Sequence, residues 1–175
     1  MLGPKIIVDS NITLREFHKD DTVLWLKWNN DKDLQKYIPE PFEVRTIQDE
    51  KEFLEEATNE EDGIYWTIED SSTSAPIGIV SVTEISTHHG LGEIGIIIGE
   101  NAYHGKGIAS KVIASVLDYC KSNGLRRITA EYEEGNIGMQ KALEKNNFIL
   151  EAKCIDSRIK NSLPINTFRY YKLID

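Results

Sequence analysis

The stretch Gly92-Glu93-Ile94-Gly95-Ile96-Ile97-Ile98-Gly99-Glu100-Asn101-Ala102-Tyr103-His104-Gly105-Lys106-Gly107-Ile108-Ala109-Ser110 decides how this chain is read. A strand-like run, Ile94 to Ile98, leads into two glycines flanking a lysine, and an amphipathic helix begins at once. The first turn of a helix carries backbone N–H groups without intrahelical partners and the positive end of the peptide dipole, so it attracts an anion. Glycine lets the main chain approach phosphate oxygens with no Cβ in the way. The segment is therefore expected to cradle a phosphate.

Downstream, Ile108, Ala109, Val112, Ile113, Val116, Leu117 and Cys120 recur on one helical face, and Asn123-Gly124 supplies a left-handed end. Arg127 to Tyr132 reads as a strand that, after a helical crossover, can lie parallel to the strand before the loop. Asn136 opens a short helix with Met139, Ala142 and Leu143 inward, closed by Asn146-Asn147; strands at Phe148 to Ile155 and Thr167 to Leu173 follow, joined near Lys160-Asn161.

Upstream, Ile12 to Phe17 alternates as a half-buried strand. Asp20-Asp21 starts a helix bearing Val23, Leu24, Trp25, Leu26 and Trp28, and Pro39 and Pro41 break the chain after Tyr37. Thr46-Ile47-Gln48-Asp49 has the form of a capping box for a helix to about Ala57. The acidic tract Glu55, Glu56, Glu60, Glu61 and Asp62 reads as a solvated loop. Tyr65 to Glu69, Ile77 to Ser86 and Gly92 to Ile98 read as an antiparallel meander, with His88-His89 at a turn.

Composition narrows the function classes. With 175 residues, 40% of them hydrophobic, the chain is expected to form a single domain over 1–175. Twenty basic against 29 acidic residues give a net charge of -9, which excludes a general nucleic-acid or anionic-membrane binder. No run approaches the roughly 18 apolar residues of a membrane span, and a cytoplasmic location is expected. Cys120 and Cys154 lack metal-ligand spacing and read as reduced thiols, and no metal is expected.

Three ligands compete for the glycine loop. A nucleoside-triphosphate loop requires GxxxxGK[ST], which His104 to Ser110 does not supply. A dinucleotide fingerprint GxGxxG is approached by Gly105, Gly107 and Ser110, with Glu131 and Glu133 on the next strand. It lacks the third glycine, and too little chain remains for a doubly wound sheet. The third reading is a resemblance. The stretch quoted above, the helix after it, Asn136 and Glu144-Lys145-Asn146-Asn147-Phe148 resemble the GCN5-related N-acetyltransferase (GNAT) superfamily over roughly residues 10 to 173. Its loop pattern Q/R-x-x-G-x-G/A is matched by His104-Gly105-Lys106-Gly107-Ile108-Ala109 except at the first position. Leu14-Arg15, Leu26-Lys27-Trp28-Asn29 and Ile98-Gly99-Glu100 are similar to the RimJ/RimL-like branch.

The resemblance implies a mixed α/β (α+β) fold, with a central sheet of about seven strands and about four flanking helices. The sheet would be antiparallel in its first half, with the fourth and fifth strands parallel around the cofactor cleft. It implies an acetyl-CoA-dependent N-acetyltransferase acting on a protein N-terminus or a small amine by direct attack in a ternary complex, as monomer or homodimer. The amides of Gly105, Lys106, Gly107, Ile108, Ala109 and Ser110, behind His104, would hold the pyrophosphate. Backbone groups of Ile96, Ile97 and Ile98 would take the pantetheine arm, with Asn136 bonding it too. Glu93 is the candidate base, for which burial would supply the raised pKa a base needs, or else it is a solvated strand-end glutamate; Glu131 and Glu133 stand behind it. The family's proton-donating tyrosine falls at Leu143, and the serine of some RimL-type members at Met139. Another group or water must protonate the sulfur, or the chain is a non-catalytic acyl-CoA-binding module.

Overall fold

The computed structural model describes residues 1–38, 42–160 and 162–174. Strands β1 (Ile6–Ile7) and β2 (Ile12–Arg15) precede helices α1 (Asp21–Asn29) and α2 (Ile47–Asn59). Strands β3 (Ile64–Asp70), β4 (Ala75–Ser86) and β5 (Leu91–Ile98) form the meander. Helix α3 (Ile108–Ser122), β6 (Arg127–Glu133), α4 (Ile137–Lys145), β7 (Ile149–Lys160) and β8 (Leu163–Leu173) complete the order. Short 3-10 turns at Leu34–Tyr37 and Asn101–Tyr103 were not anticipated.

All strands join one sheet in the order β1-β2-β3-β4-β5-β6-β8-β7. Eight strands replace the expected seven because the two-residue β1 pairs with β2. The expected parallel fourth and fifth strands are thus β5 and β6, and among the described residues every other strand pairing is antiparallel.

Successive strand residues point to opposite faces, and the sheet is covered on both. Val80, Val82, Ile94 and Ile128 pack with Val112, Ile113, Val116 and Leu117 of α3 and Leu143 of α4. Ile79, one residue from Val80, belongs instead to the cluster of Phe17, Trp25, Trp28, Phe53 and Ala57 beneath α1 and α2. The rings of Phe17 and Trp25 meet edge to face at 4.5 Å, a geometry their quadrupoles favour.

The junction of β2, α1 and β3 is held by charge. Asp21, only 3% exposed, takes both terminal nitrogens of Arg15 at 2.8 Å, the His18 amide at 2.9 Å and the Thr67 hydroxyl at 2.8 Å. Arg15 also reaches Glu69 at 2.6 Å.

Thr46 and Asp49 form the expected capping box, but α2 continues to Asn59, so Glu55 and Glu56 are helical rather than loop residues. The helix buries Glu50, Phe53, Leu54 and Ala57 wholly or in part. The closing hairpin is longer than expected, because β7 and β8 extend past Ile155 and begin before Thr167. Most of the added residues are exposed, which removes the alternation that marks a strand, and two register shifts interrupt the β7–β8 pairing. The break expected at Pro39 and Pro41, and Asn161 of the hairpin turn, lie outside the described residues. His88 and His89 sit exposed at the turn between β4 and β5. Cys120 is buried and its thiol is pushed up to about 12 by that burial, while Cys154 is partly exposed. Among the described residues no helix is long and apolar enough to cross a membrane, and no group of His, Cys, Asp and Glu could hold a metal ion.

Candidate active site

Strands β5 and β6 are paired only at Leu91–Arg127, Gly92–Ile128 and Glu93–Thr129. Beyond that point they separate, while β5 stays paired with β4 as far as Ile98. The phase of the antiparallel ladder fixes which groups face the gap. Gly99 donates to the Ile77 carbonyl at 2.8 Å, so by alternation Ile97 turns its peptide groups toward β4, and Ile96 and Ile98 turn theirs away from it. The Ile98 carbonyl confirms this phase by accepting a 2.7 Å bond from His104 Nε2 on the gap side. The expectation for Ile96 to Ile98 therefore divides. Ile96 and Ile98 offer backbone groups to an extended ligand, and Ile97 is engaged with β4.

The glycine loop stands at the open end of this gap. Gly105 and Gly107 have φ of 71° and 75°, where a side chain is strained, and a Cβ at either would meet nothing within 4 Å. The first bond within α3 runs from Lys111 to Gly107, leaving the amides of Ile108, Ala109 and Ser110 without intrahelical acceptors. Asn146 donates to the Ser110 carbonyl at 2.9 Å and to its hydroxyl oxygen at 3.2 Å, tying the end of α4 to the start of α3. The Ser110 hydroxyl proton stays free for an anion. His104, the departure from the loop pattern, pins the loop to β5. Tyr103 pins it to β3, its hydroxyl donating to Asp70 at 2.7 Å. Hydrogen bonds from Ser72 and Tyr103 hold Asp70 well below the usual carboxylate range, at about 2. Lys106 Nζ lies 5.3 Å from the centre of the Tyr103 ring.

Loop and gap open into one cavity of 1320 Å³. Every residue expected at the site lines it except Lys106. Asn136 caps α4, its Oδ1 accepting from Met139 at 3.1 Å, and its Nδ2 group has no partner among the described residues. Cap and ligand donor are thus compatible roles.

Glu93 lies between the buried base and the solvated strand-end glutamate that the sequence allows: its side chain is 27% exposed, with its carboxylate 3.4 Å from Arg169 and 3.3 Å from the Thr129 hydroxyl. Glu131 pairs with Arg158 at 2.6 Å and Glu133 with Lys160 at 2.6 Å. Leu143 is fully buried in the core, so the helix turns that position inward rather than toward the cleft. Tyr132 does line the cavity. Burial, reinforced by the neighbouring Tyr170, pushes its pKa up and keeps the phenol protonated.

One residue of the cavity went unnoticed in the sequence. Glu50, wholly buried, receives both bonds of the Asn29 amide at 3.0 Å and faces Arg45 at 3.5 Å, while Gln35 steadies Asn29 at 3.1 Å. Its spacing to Phe53, Leu54 and Ala57 is that of one helical face, a signal that places a carboxylate on the inward side of α2.

A mixed sheet split at its parallel pair, with a glycine-opened helix beside the split, defines a GNAT-type transferase fold. The chain belongs to the acetyltransferase (GNAT) domain family, whose model matches residues 11–149. It is similar to the spermidine N-acetyltransferase of Vibrio cholerae, solved with CoA and spermine. That match has a TM-score of 0.86 at 24% identity and covers 95% of this chain and 97% of that one. It is also similar to RimL, the ribosomal L7/L12 alpha-N-protein acetyltransferase, solved with coenzyme A, with a TM-score of 0.88 at 17% identity over 98% and 99% of the two chains. At these identities the likeness establishes the fold. In sequence the chain is 28% identical over 144 residues to the uncharacterized protein MJ1062 of Methanocaldococcus jannaschii. The match takes in 82% of this chain but only 29% of that protein's length.

Proposed function

We propose that this chain transfers an acetyl group from acetyl-coenzyme A to a primary amine, the carrying observation being that a free strand edge and a glycine-opened helix start face one cavity. The unobstructed space at Gly105 and Gly107 and the unpaired amides after them fit a pyrophosphate, with Lys106 adding charge. The gap-side groups of Ile96 and Ile98 fit an extended pantetheine arm, and Asn136 Nδ2 is placed to bond it. Acetyl-coenzyme A supplies an acyl group already activated as a thioester, so the chain's own work is to align the amine, remove a proton and deliver one to sulfur. An alkylammonium with pKa near ~10 must lose a proton before it attacks. Glu93, open to solvent, is suited to draw that proton away through water rather than by direct contact. The similar structures, a spermidine N-acetyltransferase and a ribosomal alpha-N-protein acetyltransferase, support an amine acceptor in this chain.

Tyr132 is the candidate donor to the departing sulfur, since Leu143 and Met139 cannot serve. Tyr132→Phe is expected to lower kcat by roughly ten- to a hundredfold, within or below the usual range for general acids, with KM for acetyl-coenzyme A little changed. An unchanged kcat would hand that role to water. The whole reading is tested by thiol release from acetyl-coenzyme A across a panel of amines and peptides, alongside calorimetric titration of coenzyme A. No heat of binding would sink it. Binding without turnover of any amine would favour the second reading, an acyl-coenzyme A sensing module, which the buried Leu143 motivates.

A further inference from the structure

Glu133 is 4% exposed, lines the cavity, and leaves one carboxylate oxygen, Oε1, without a hydrogen-bond partner among the described residues. A buried acceptor left unmatched is costly, so such an atom calls for an explanation. Its neighbours do not supply one. Lys160 Nζ holds the other oxygen at 2.6 Å and also donates to the carbonyls of Lys36 at 2.6 Å and Ile38 at 2.8 Å. An ammonium has three donors, and all three are engaged. Arg158 is fixed on Glu131 at 2.6 Å, and Thr167, opposite Glu133 in β8, lies 2.9 Å from the Ser157 hydroxyl. The carboxylate is thus anchored through one oxygen, and the other is left as an unmatched acceptor for a donor that enters the cavity.

Charge decides what it would meet. At this end of the cavity Glu93, Glu131 and Glu133 are each already matched by a cation, Arg169, Arg158 and Lys160 respectively. Beside Glu133 a second full positive charge on the acceptor would also face the Lys160 ammonium, whereas a neutral donor needs only the free lone pair. The enclosure around Glu133 and Thr167, which is 1% exposed, favours the smallest such donor, a hydroxyl. Glu133 lies four residues past Thr129, where β5 and β6 part, or about 13 Å along the strand at about 3.3 Å per residue. A hydroxyl reaching it belongs to the part of the acceptor remote from the paired stretch.

Resting on the transferase reading above, we infer that Glu133 is a specificity-determining anchor for a hydroxyl of the acceptor, which is then a polyhydroxylated amine of the amino-sugar class rather than a polyamine. The test is calorimetric titration of the coenzyme-A-saturated protein with glucosamine, with cyclohexylamine as a ring amine lacking hydroxyls, and with spermidine. Glucosamine should bind at least about tenfold more tightly than cyclohexylamine, the worth of one hydrogen bond to a charged group, and spermidine no more tightly than cyclohexylamine. In Glu133→Gln, whose amide can keep Lys160 while presenting N–H where Oε1 stood, the tenfold preference should vanish, with cyclohexylamine and coenzyme A binding as before. Spermidine binding best, no preference in the wild type, or a preference that survives the substitution would each overturn the inference. Should the variant fail to fold, the wild-type ranking decides alone. The titration of coenzyme A reports separately on the parent reading, and the amine ranking is repeated without it, so the two failures are distinguishable.

Discussion

Gly107→Val is expected to abolish useful binding of acetyl-coenzyme A, lowering kcat/KM by about a thousandfold while leaving the fold intact. Gly107 sits at φ 75° immediately before α3. A side chain there costs about 1–2 kcal/mol in a left-handed conformation, and a β-branched one tends toward the upper end. The chain escapes the strain by turning the loop, which moves the amides of Ile108 to Ser110 away from the phosphate. Two charge-assisted hydrogen bonds at about 2 kcal/mol each are lost with that movement, and about 4 kcal/mol is about three decades of affinity. Because a Cβ at this position meets no protein atom within 4 Å, core packing is untouched and the melting temperature should fall only slightly. Calorimetry with coenzyme A and a thermal melt of the same sample separate the two effects. A variant that binds coenzyme A like the wild type would remove the phosphate assignment from the loop.

Asp21→Ala should produce the largest loss of stability of any single surface-distant change. Removal leaves Arg15, the His18 amide and the Thr67 hydroxyl facing a hole. Breaking one partner of a buried pair costs about 3–5 kcal/mol, which for a chain of this size is roughly 10 °C or more in melting temperature. The pH dependence has a definite sign. Burial alone would raise the Asp21 pKa, but the bonds from Arg15, the His18 amide and Thr67 outweigh it, and the net shift is downward. A carboxyl whose pKa is lower folded than unfolded binds fewer protons in the native state. Its stabilisation is complete above the unfolded value near ~4 and is lost as pH falls through the folded one. Melting curves from pH 7 to 3 should therefore be flat until about pH 4 and then drop, more steeply in the wild type than in Asp21→Asn. Parallel curves would show that other carboxylates carry the acid transition.

The parts legible in the sequence were those with a period or a local motif. The face of α3 from Ile108 to Cys120, the Thr46–Asp49 box and the turn at Gly105 and Gly107 are all encoded within a few residues of themselves, and the structure has each of these elements where the sequence predicts it. What escaped depends on partners distant in the chain. The two-residue β1 has no pattern of its own and exists because β2 lies beside it. The outer halves of β7 and β8 are exposed and polar, so nothing alternates. For Glu93 the sequence left burial and solvation equally open, because its surroundings depend on where β5 and β6 part company and on Arg169, which reaches it from β8. The glycine loop is local in sequence and was readable; the contacts of Glu50 with Asn29 and of Glu133 with Lys160 join separate segments and were not.

The divergence of β5 from β6 also bears on where another strand could add to this sheet. A continuous sheet has two edges that invite another chain to add on; a divided one has four. The outer pair is defended in familiar ways, β1 by having only two residues and β7 by Glu151, Lys153 and Lys160 along its length. Beyond Glu93 the inner pair carries no such charges on β5, where Ile94, Ile96 and Ile98 would otherwise be an aggregation-prone template. Its protection is geometric. Each inner edge faces the other across a narrowing wedge, so a sheet from a neighbouring molecule cannot dock there, while one slender extended molecule can. The same wedge that leaves room for one extended molecule leaves none for a sheet edge, and the open part of β5 needs no gatekeeping residue.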